Sequence, residues 1–347
     1  LVVASDVTGN PKLLDAAIAM WDRTKEHHLT PQGGPWGGIA THKEVFNPAG
    51  YFDPGGFVET CSVMVWNQLS RELYERFGVG QYLDEIERST YNQLVGAQDA
   101  NGEDWCYFSF PNGQRHNTYY WACCKSSGPL ALSDAVKFAG QVSVDEVRLN
   151  YIESGSFDLA VESGRIVLDC QAEFGQIARL SCVIADSPSN AWTLALREPS
   201  WSGGTVVTVN GESVTATKTA DGYLRFSRHW LVGDEIAVSH LCRAVVKPAF
   251  QTADHHGQEV VRNDFFHVSF GPFSMATGLI DGYRRFETLR LAQLNGETMF
   301  KFRDGEKLPI LELVRTGGAP IRFVPYAVAG GMHDEAWRLT WMGVAWQ

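Results

Sequence analysis

The sequence predicts an α+β multidomain chain, with a helical module over residues 1–141 and a β-sandwich region over residues 142–347 holding one or two jelly-roll-like sandwiches. Three observations lead there. Apolar residues recur at helical spacing in the first part, period-two alternation replaces that spacing after about Val142, and the change near Gly140 is the one defensible boundary along the chain. With 347 residues, 44% of them hydrophobic, there is material for one large core or two smaller ones.

In chain order, Asn10-Pro11 supplies an N-cap and a first-turn proline, and Leu14, Ala17, Ile18 and Trp21 then fall on one helical face. A second helix runs from about Cys61 to Phe77, where Gly78 closes it. A third is expected from about Tyr82 to Val95, with Leu83, Ile86, Thr90 and Leu94 on one side, and a fourth from Pro129 to Phe138. Strands are expected at 146–151, at 165–169, and at 205–209 before the turn pair Asn210-Gly211. Further short runs at 223–226, 236–238, 265–269, 310–314, 321–324 and 337–341 continue the β region.

Composition excludes some partners. A formal charge of −11 with no block of clustered Lys and Arg argues against nucleic acid. No run of about 18 apolar residues is present, and Leu1-Val2-Val3-Ala4-Ser5-Asp6 lacks the charged start and long apolar stretch of a signal peptide, so a cytoplasmic, non-membrane setting is expected. The seven cysteines, an odd number, leave at least one thiol free or ligating, and a reduced compartment fits better. No Asn-x-Ser/Thr sequon occurs. The 11 tryptophans suit stacking on sugar rings and equally suit an ordinary large core.

Two local features carry chemistry: Glu59-Thr60-Cys61 just after Pro54-Gly55-Gly56, and the twin Cys123-Cys124. Three thiolates and a carboxylate make a plausible four-coordinate zinc set, because thiolates are soft ligands and a carboxylate can fill the last vertex. Residues two apart share a side only in extended chain, so Glu59 and Cys61 should straddle a helix start. The adjacent cysteines call for irregular backbone, and both ligand segments are expected to be loops. Against this stands the plain reading that buried free cysteines are common small hydrophobes, and that a Cys-Cys pair without Cys-x-x-Cys flanks is a weak metal signal. His27-His28 and His255-His256 read as exposed loop histidines rather than ligands.

Several motifs in order resemble glycoside hydrolase family 127, the β-L-arabinofuranosidases. Gly37-Gly38-Ile39-Ala40-Thr41-His42-Lys43-Glu44-Val45-Phe46 is similar to the family's Gly-Gly-Ile segment, and Glu59-Thr60-Cys61-Ser62 to its metal segment. Ile86-Glu87-Arg88-Ser89-Thr90-Tyr91-Asn92 is similar to a family helix, Tyr119 to Cys124 to the approach to its twin cysteines, and Leu196 to Trp201 and Val207 to Glu212 to its sandwich. The resemblance implies a partial (α/α)6 six-hairpin barrel ahead of the β-sandwiches. It implies a Zn2+ ion on Glu59, Cys61, Cys123 and Cys124, with Cys123 as the nucleophile and Glu44 as the general acid/base. Glu87 and Tyr107 match positions that contact the sugar, and His42 is a further substrate-contact candidate.

The function so implied is a retaining glycoside hydrolase acting on β-L-arabinofuranosides or related pentosides. The alternative is a non-catalytic or truncated member whose zinc is structural and which binds sugar or a partner chain. Lys43 and Lys125-Ser126-Ser127 depart from the family's pattern. Only about four helices precede residue 142, so most of the barrel has no counterpart here. The apolar faces around Trp21, Trp66 and Ile86 are therefore expected to be covered by another polypeptide, in a homo-oligomer or by a partner chain completing the barrel.

Overall fold

The computed structural model describes residues 1–37, 46–119, 122–144, 146–255, 258–284, 287–291, 293–303, 307–315 and 319–346. The first part holds helices α1 (Val2–Thr8), α2 (Pro11–His27), α3 (Thr60–Phe77), α4 (Gly80–Arg88), the short turn α5 (Val95–Ala97) and α6 (Cys124–Lys137). Between them lie three short strands, β1 (Val58–Glu59), β2 (Phe108–Ser109) and β3 (Asn112–Gln114). The end signals read from sequence act as expected: the Asn10 side chain accepts from the Lys12 amide, Pro11 opens α2, and Gly78 ends α3 in the left-handed conformation at φ 65°.

From Gly140 onward the described residues are mostly strand, in three sheets. The first strands are β4 (Gly140–Ser143), β5 (Glu146–Leu149), β6 (Gly155–Val161), β7 (Gly164–Glu173), β8 (Ile177–Asp186) and β9 (Trp192–Arg197). Next come β10 (Thr205–Val209), β11 (Glu212–Ser213), β12 (Thr217–Lys218), β13 (Tyr223–Arg228) and β14 (Glu235–Leu241). These form a six-stranded sheet in the order β11-β10-β14-β8-β7-β6 and a five-stranded sheet in the order β12-β13-β9-β5-β4. Their apolar sides share one buried cluster, to which β8 contributes every second residue, Ala178, Leu180, Cys182 and Ile184. Cys170 and Cys182, opposite each other on β7 and β8, form a disulfide, while the other five cysteines are free, in keeping with the unpaired thiol that the odd count requires.

A ten-stranded sheet contains β15 (Ala244–His255), β16 (Gln258–Phe270), β17 (Phe273–Gly278), β18 (Thr288–Leu291), β19 (Phe300–Arg303), β20 (Ile310–Leu313), β21 (Ile321–Pro325), β22 (Trp337–Leu339) and β23 (Met342–Trp346). Its tenth member is β3, which pairs with β22 and so carries the sheet into the helical part.

The helices pack on the five-stranded sheet. Trp21 stacks on Trp66 at 5.6 Å and meets Tyr82 edge-on at 4.8 Å, and their cluster includes Ala195 of β9 and Tyr223 of β13. Trp21, Trp66 and Ile86 are 2%, 3% and 2% exposed, so the faces expected to need another polypeptide are buried within this chain. Uncovered apolar side chains elsewhere on the helices include Val3, Val7, Met20, Val65, Leu130 and Val136.

Three elements differ from expectation. The run read as one helix over 82–95 passes through a π-helical stretch at Ser89–Leu94. There the Asn92 side chain donates to the Arg88 and Pro272 carbonyls and accepts from the Ser274 amide, which ties the helix to the third sheet. Helix α6 begins at Cys124, not Pro129, and holds Pro129 in its second turn. Its start is held by tertiary contact: a Cβ on Gly128 would stand 2.3 Å from the Trp105 ring, so only glycine fits there. Helix α1 was not anticipated. The histidines differ as well, since His27 ends α2 and His28 packs its ring 4.6 Å from Phe46, both half-buried. The His255 side chain and His256 lie outside the described residues.

Candidate metal centre

Glu59 is extended at φ −88°, ψ 134° and serves as the N-cap of α3, so it and Cys61 stand on either side of a helix start. Strand β1 pairs with β2, setting Glu59 opposite Phe108. The Thr60 amide and hydroxyl then bind the carbonyls of Tyr107 and Cys106, at 3.1 and 2.8 Å. From the other side α6 packs against α3 through Val63 and Ala131, which delivers Cys123, its N-cap, and Cys124, its first residue. The ligand segments are thus helix starts rather than the loops expected from sequence. A helix start presents the free end of a side-chain stack without breaking the backbone ladder behind it.

The result is a compact donor set. The Cys61 sulfur stands 3.1 Å from that of Cys123 and 3.3 Å from that of Cys124. Ligand atoms of Glu59, Cys61, Cys123 and Cys124 all lie within 4.8 Å of one another, so the four residues could hold a metal ion. Cys124 is buried, Glu59 and Cys61 are half-buried, and Cys123 is exposed.

Electrostatics separate the three thiols. Burial pushes Cys61 up to about 11, and burial raises Cys124 as well, with the Cys61 hydrogen bond adding to it. For Cys123 burial also raises the pKa, but hydrogen bonds from Cys61, Tyr107 and Cys124 outweigh it and hold this thiol below its ordinary value. The Tyr107 hydroxyl lies 3.7 Å from the Cys123 sulfur, and that contact raises the phenol's pKa.

Beside the donors opens a cleft of ≈ 860 Å³, lined by Trp36, Phe57, Glu59, Cys61, Val65 and Trp66 among others. Glu44 and His42 lie outside the described residues. The residues flanking their segment, Gly37 and Phe46, both line this cleft. Glu87 does not join the cluster; its carboxylate is 2% exposed and engaged by Arg197 and Trp201. One neighbour escaped sequence reasoning: the Ser127 hydroxyl, 3.3 Å from the Cys61 sulfur. Its position three residues after Cys124 would have marked it, had the helix been started at the cysteine.

The β-L-arabinofuranosidase catalytic-domain model of glycoside hydrolase family 127 matches residues 2–134, and the middle-domain model of the same family matches residues 146–241. No curated protein matches the chain. Among solved structures, one described as a glycoside hydrolase is similar at a TM-score of 0.73 and 17% identity, over 97% of this chain and 63% of its own. A family 127 β-arabinofuranosidase gives 0.76 at 21% identity, over 99% and 58%. The family 127 β-L-arabinofuranosidase Ara127N-Se from Geobacillus stearothermophilus T6 gives 0.74 at 17%, over 98% and 58%. At these identities the likeness is one of fold, and the chain spans 58–63% of the length of the structures it matches.

Proposed function

This chain belongs to glycoside hydrolase family 127, and from that membership we propose that it is a retaining glycoside hydrolase with a zinc-bound cysteine nucleophile, acting on β-L-arabinofuranosides or related pentosides. The observation that supports this most is the placement of Cys123. It is the exposed sulfur of the donor set, and its thiol is the one held below the ordinary range.

The donors fit zinc. Three thiols and a carboxylate form a soft, four-membered set, and thiolates about 2.3 Å from a tetrahedral ion stand about 3.8 Å apart. The observed separations of 3.1 and 3.3 Å need only a small expansion to reach that spacing. Zinc, when bound, keeps the cysteines ionised without a separate base. The Cys123 sulfur attacks the anomeric carbon while the bond to the leaving oxygen breaks and Glu44 gives that oxygen its proton. Glu44, now a carboxylate, takes a proton from water; the water oxygen attacks the same carbon and displaces the Cys123 sulfur. Two inversions retain configuration. Tyr107 orients the sulfur through its hydroxyl, and His42 contacts the sugar. Glu87, matched by the resemblance to a sugar-contact position, acts from its buried pair as a positioning residue.

In this reading residues 1–141 are the later part of an (α/α)6 barrel and residues 142–347 are β-sandwich. The cleft beside the donors is then the sugar pocket, completed by a further polypeptide segment or subunit. Denaturing mass spectrometry after brief exposure to an arabinofuranoside with a slow deglycosylation step is expected to show a pentosyl adduct on the peptide carrying Cys123. Absence of any adduct, with substrate consumed, rejects the nucleophile.

A second reading is favoured by the open flank of the cleft, where Leu1, Met20, Phe46 and Val65 are exposed apolar side chains. It is a non-catalytic member whose zinc fastens β1 to α6 and whose cleft binds sugar or a partner chain. Light scattering separates the two when combined with hydrolysis assays: a stable monomer that binds pentosides without consuming them supports the second.

A further inference from the structure

Away from the cysteine cluster, two arginines are buried together. Strands β3 and β22 pair with Arg338 opposite Gly113, so Arg115, two residues further along and still bonded to the Ala336 carbonyl through its amide, sends its side chain to the same side as Arg338. Both guanidinium groups flank Gly96 at the end of the helical segment. Arg115 Nη1 donates to the Gly96 carbonyl at 2.8 Å, and a Cβ on Gly96 would stand 3.5 Å from Arg338 Nη1. Arg338 also lies 4.0 Å over the Tyr326 ring, with Nη1 3.5 Å from the Tyr326 carbonyl.

The two side chains are each 1% exposed. Neither forms an ion pair among the described residues, and Arg115 Nε, Arg115 Nη2 and Arg338 Nη2 have no acceptor there. The carboxylates whose charge reaches this region are engaged elsewhere: Asp99 accepts from the Asp104 amide, and Asp334 from the Asn117 amide and the Tyr119 hydroxyl. Cys106 lies beside the pair and is fully buried, but burial holds its thiol above the ordinary range despite both arginines, so it supplies no charge near neutrality. Two like charges taken out of water with three guanidinium nitrogens unmet are strongly unfavourable unless an anion joins them.

We propose that Arg115 and Arg338 bind a small inorganic anion of the halide class, held between the Gly96 end of the helical segment and the β3–β22 ribbon. A monoatomic anion accepts from several N–H groups at once, needs the least room and brings no donors of its own to satisfy. A carboxylate from another segment would have to reach groups that this chain already encloses. The anion would also steady Cys106, whose carbonyl accepts from Thr60 next to the cysteine cluster.

The test uses the intact chain. At constant ionic strength, exchanging gluconate for chloride is expected to raise the melting temperature saturably, by about 2–4 °C. Diffraction from crystals grown in bromide is expected to give an anomalous peak in contact with both guanidinium groups. Arg338→Met is expected to abolish the peak and the saturable response; if that variant does not fold, the bromide experiment on the unaltered chain decides alone. No bromide peak, a water or an acidic side chain at that position, or melting indifferent to chloride overturns the proposal.

Discussion

The Arg197 guanidinium meets the Glu87 carboxylate at 2.7 Å with both side chains 2% exposed, and this pair fastens α4 to β9. Arg197 also binds Asp84 and the Asn150 carbonyl, while Trp201 donates to Glu87 at 2.8 Å. Replacing Arg197 by Met leaves two carboxylates uncompensated, one of them deeply buried. The expected loss is about 3–5 kcal/mol in urea unfolding. A loss under about 1 kcal/mol would show that water reaches the pair.

Two buried histidines set an acid limit on stability. Burial depresses His240 to about 4 and His267 to about 3. Both are therefore neutral in the folded chain at pH values where the unfolded chain binds a proton. Stability from this source is complete above the unfolded value of about 6.5 and is lost as pH falls toward the folded values, by about 1.4 kcal/mol per pH unit for each histidine. Urea midpoints measured from pH 7 to 4.5 should fall, and His267→Gln should flatten the slope by one histidine's share. An unchanged slope in that variant would place the lost protons elsewhere.

Metal content is the direct check on the cysteine cluster. Purified chain is expected to carry about one zinc per molecule, and Cys124→Ala to lose it along with thermal stability, because the buried sulfur has no substitute nearby. Cys61 and Cys124 have raised pKa values and must shed protons to ligate, so affinity should weaken as pH falls. Elemental analysis showing no zinc, with all five free thiols titrating, would remove the metal from the account.

Leaving-group dependence separates the two proposed catalytic roles. Cys123→Ser is expected to abolish hydrolysis of every glycoside, whereas Glu44→Gln should spare activated aryl glycosides, whose leaving oxygen needs little protonation. Tyr107→Phe should lower kcat/KM about tenfold while leaving zinc content unchanged. Equal losses for Cys123→Ser and Glu44→Gln on an activated substrate would deny Glu44 the acid role.

Local chemistry made part of this protein legible in its sequence. Asn10-Pro11 and Gly78 mark helix ends that the structure keeps, and the alternation over 146–151 marks the buried face of β5, Val147 and Leu149. Glu59 with Cys61, and Cys123 with Cys124, were recognisable as donor pairs because each lies within three residues of chain. What tertiary structure alone decided is everything that depends on distant segments meeting. Cys61 reaches Cys123 across 62 residues only because α3 packs on α6. The π-helical stretch exists because Asn92 finds Pro272 and Ser274, 180 and 182 residues away. Glu87 looks like any helix-face carboxylate until β9 brings Arg197 against it, and Arg115 and Arg338 look like surface charges until β3 and β22 enclose them. Periodicity reports which side of an element is apolar; it carries no record of which other element will cover that side, and burial and charge pairing follow from the covering.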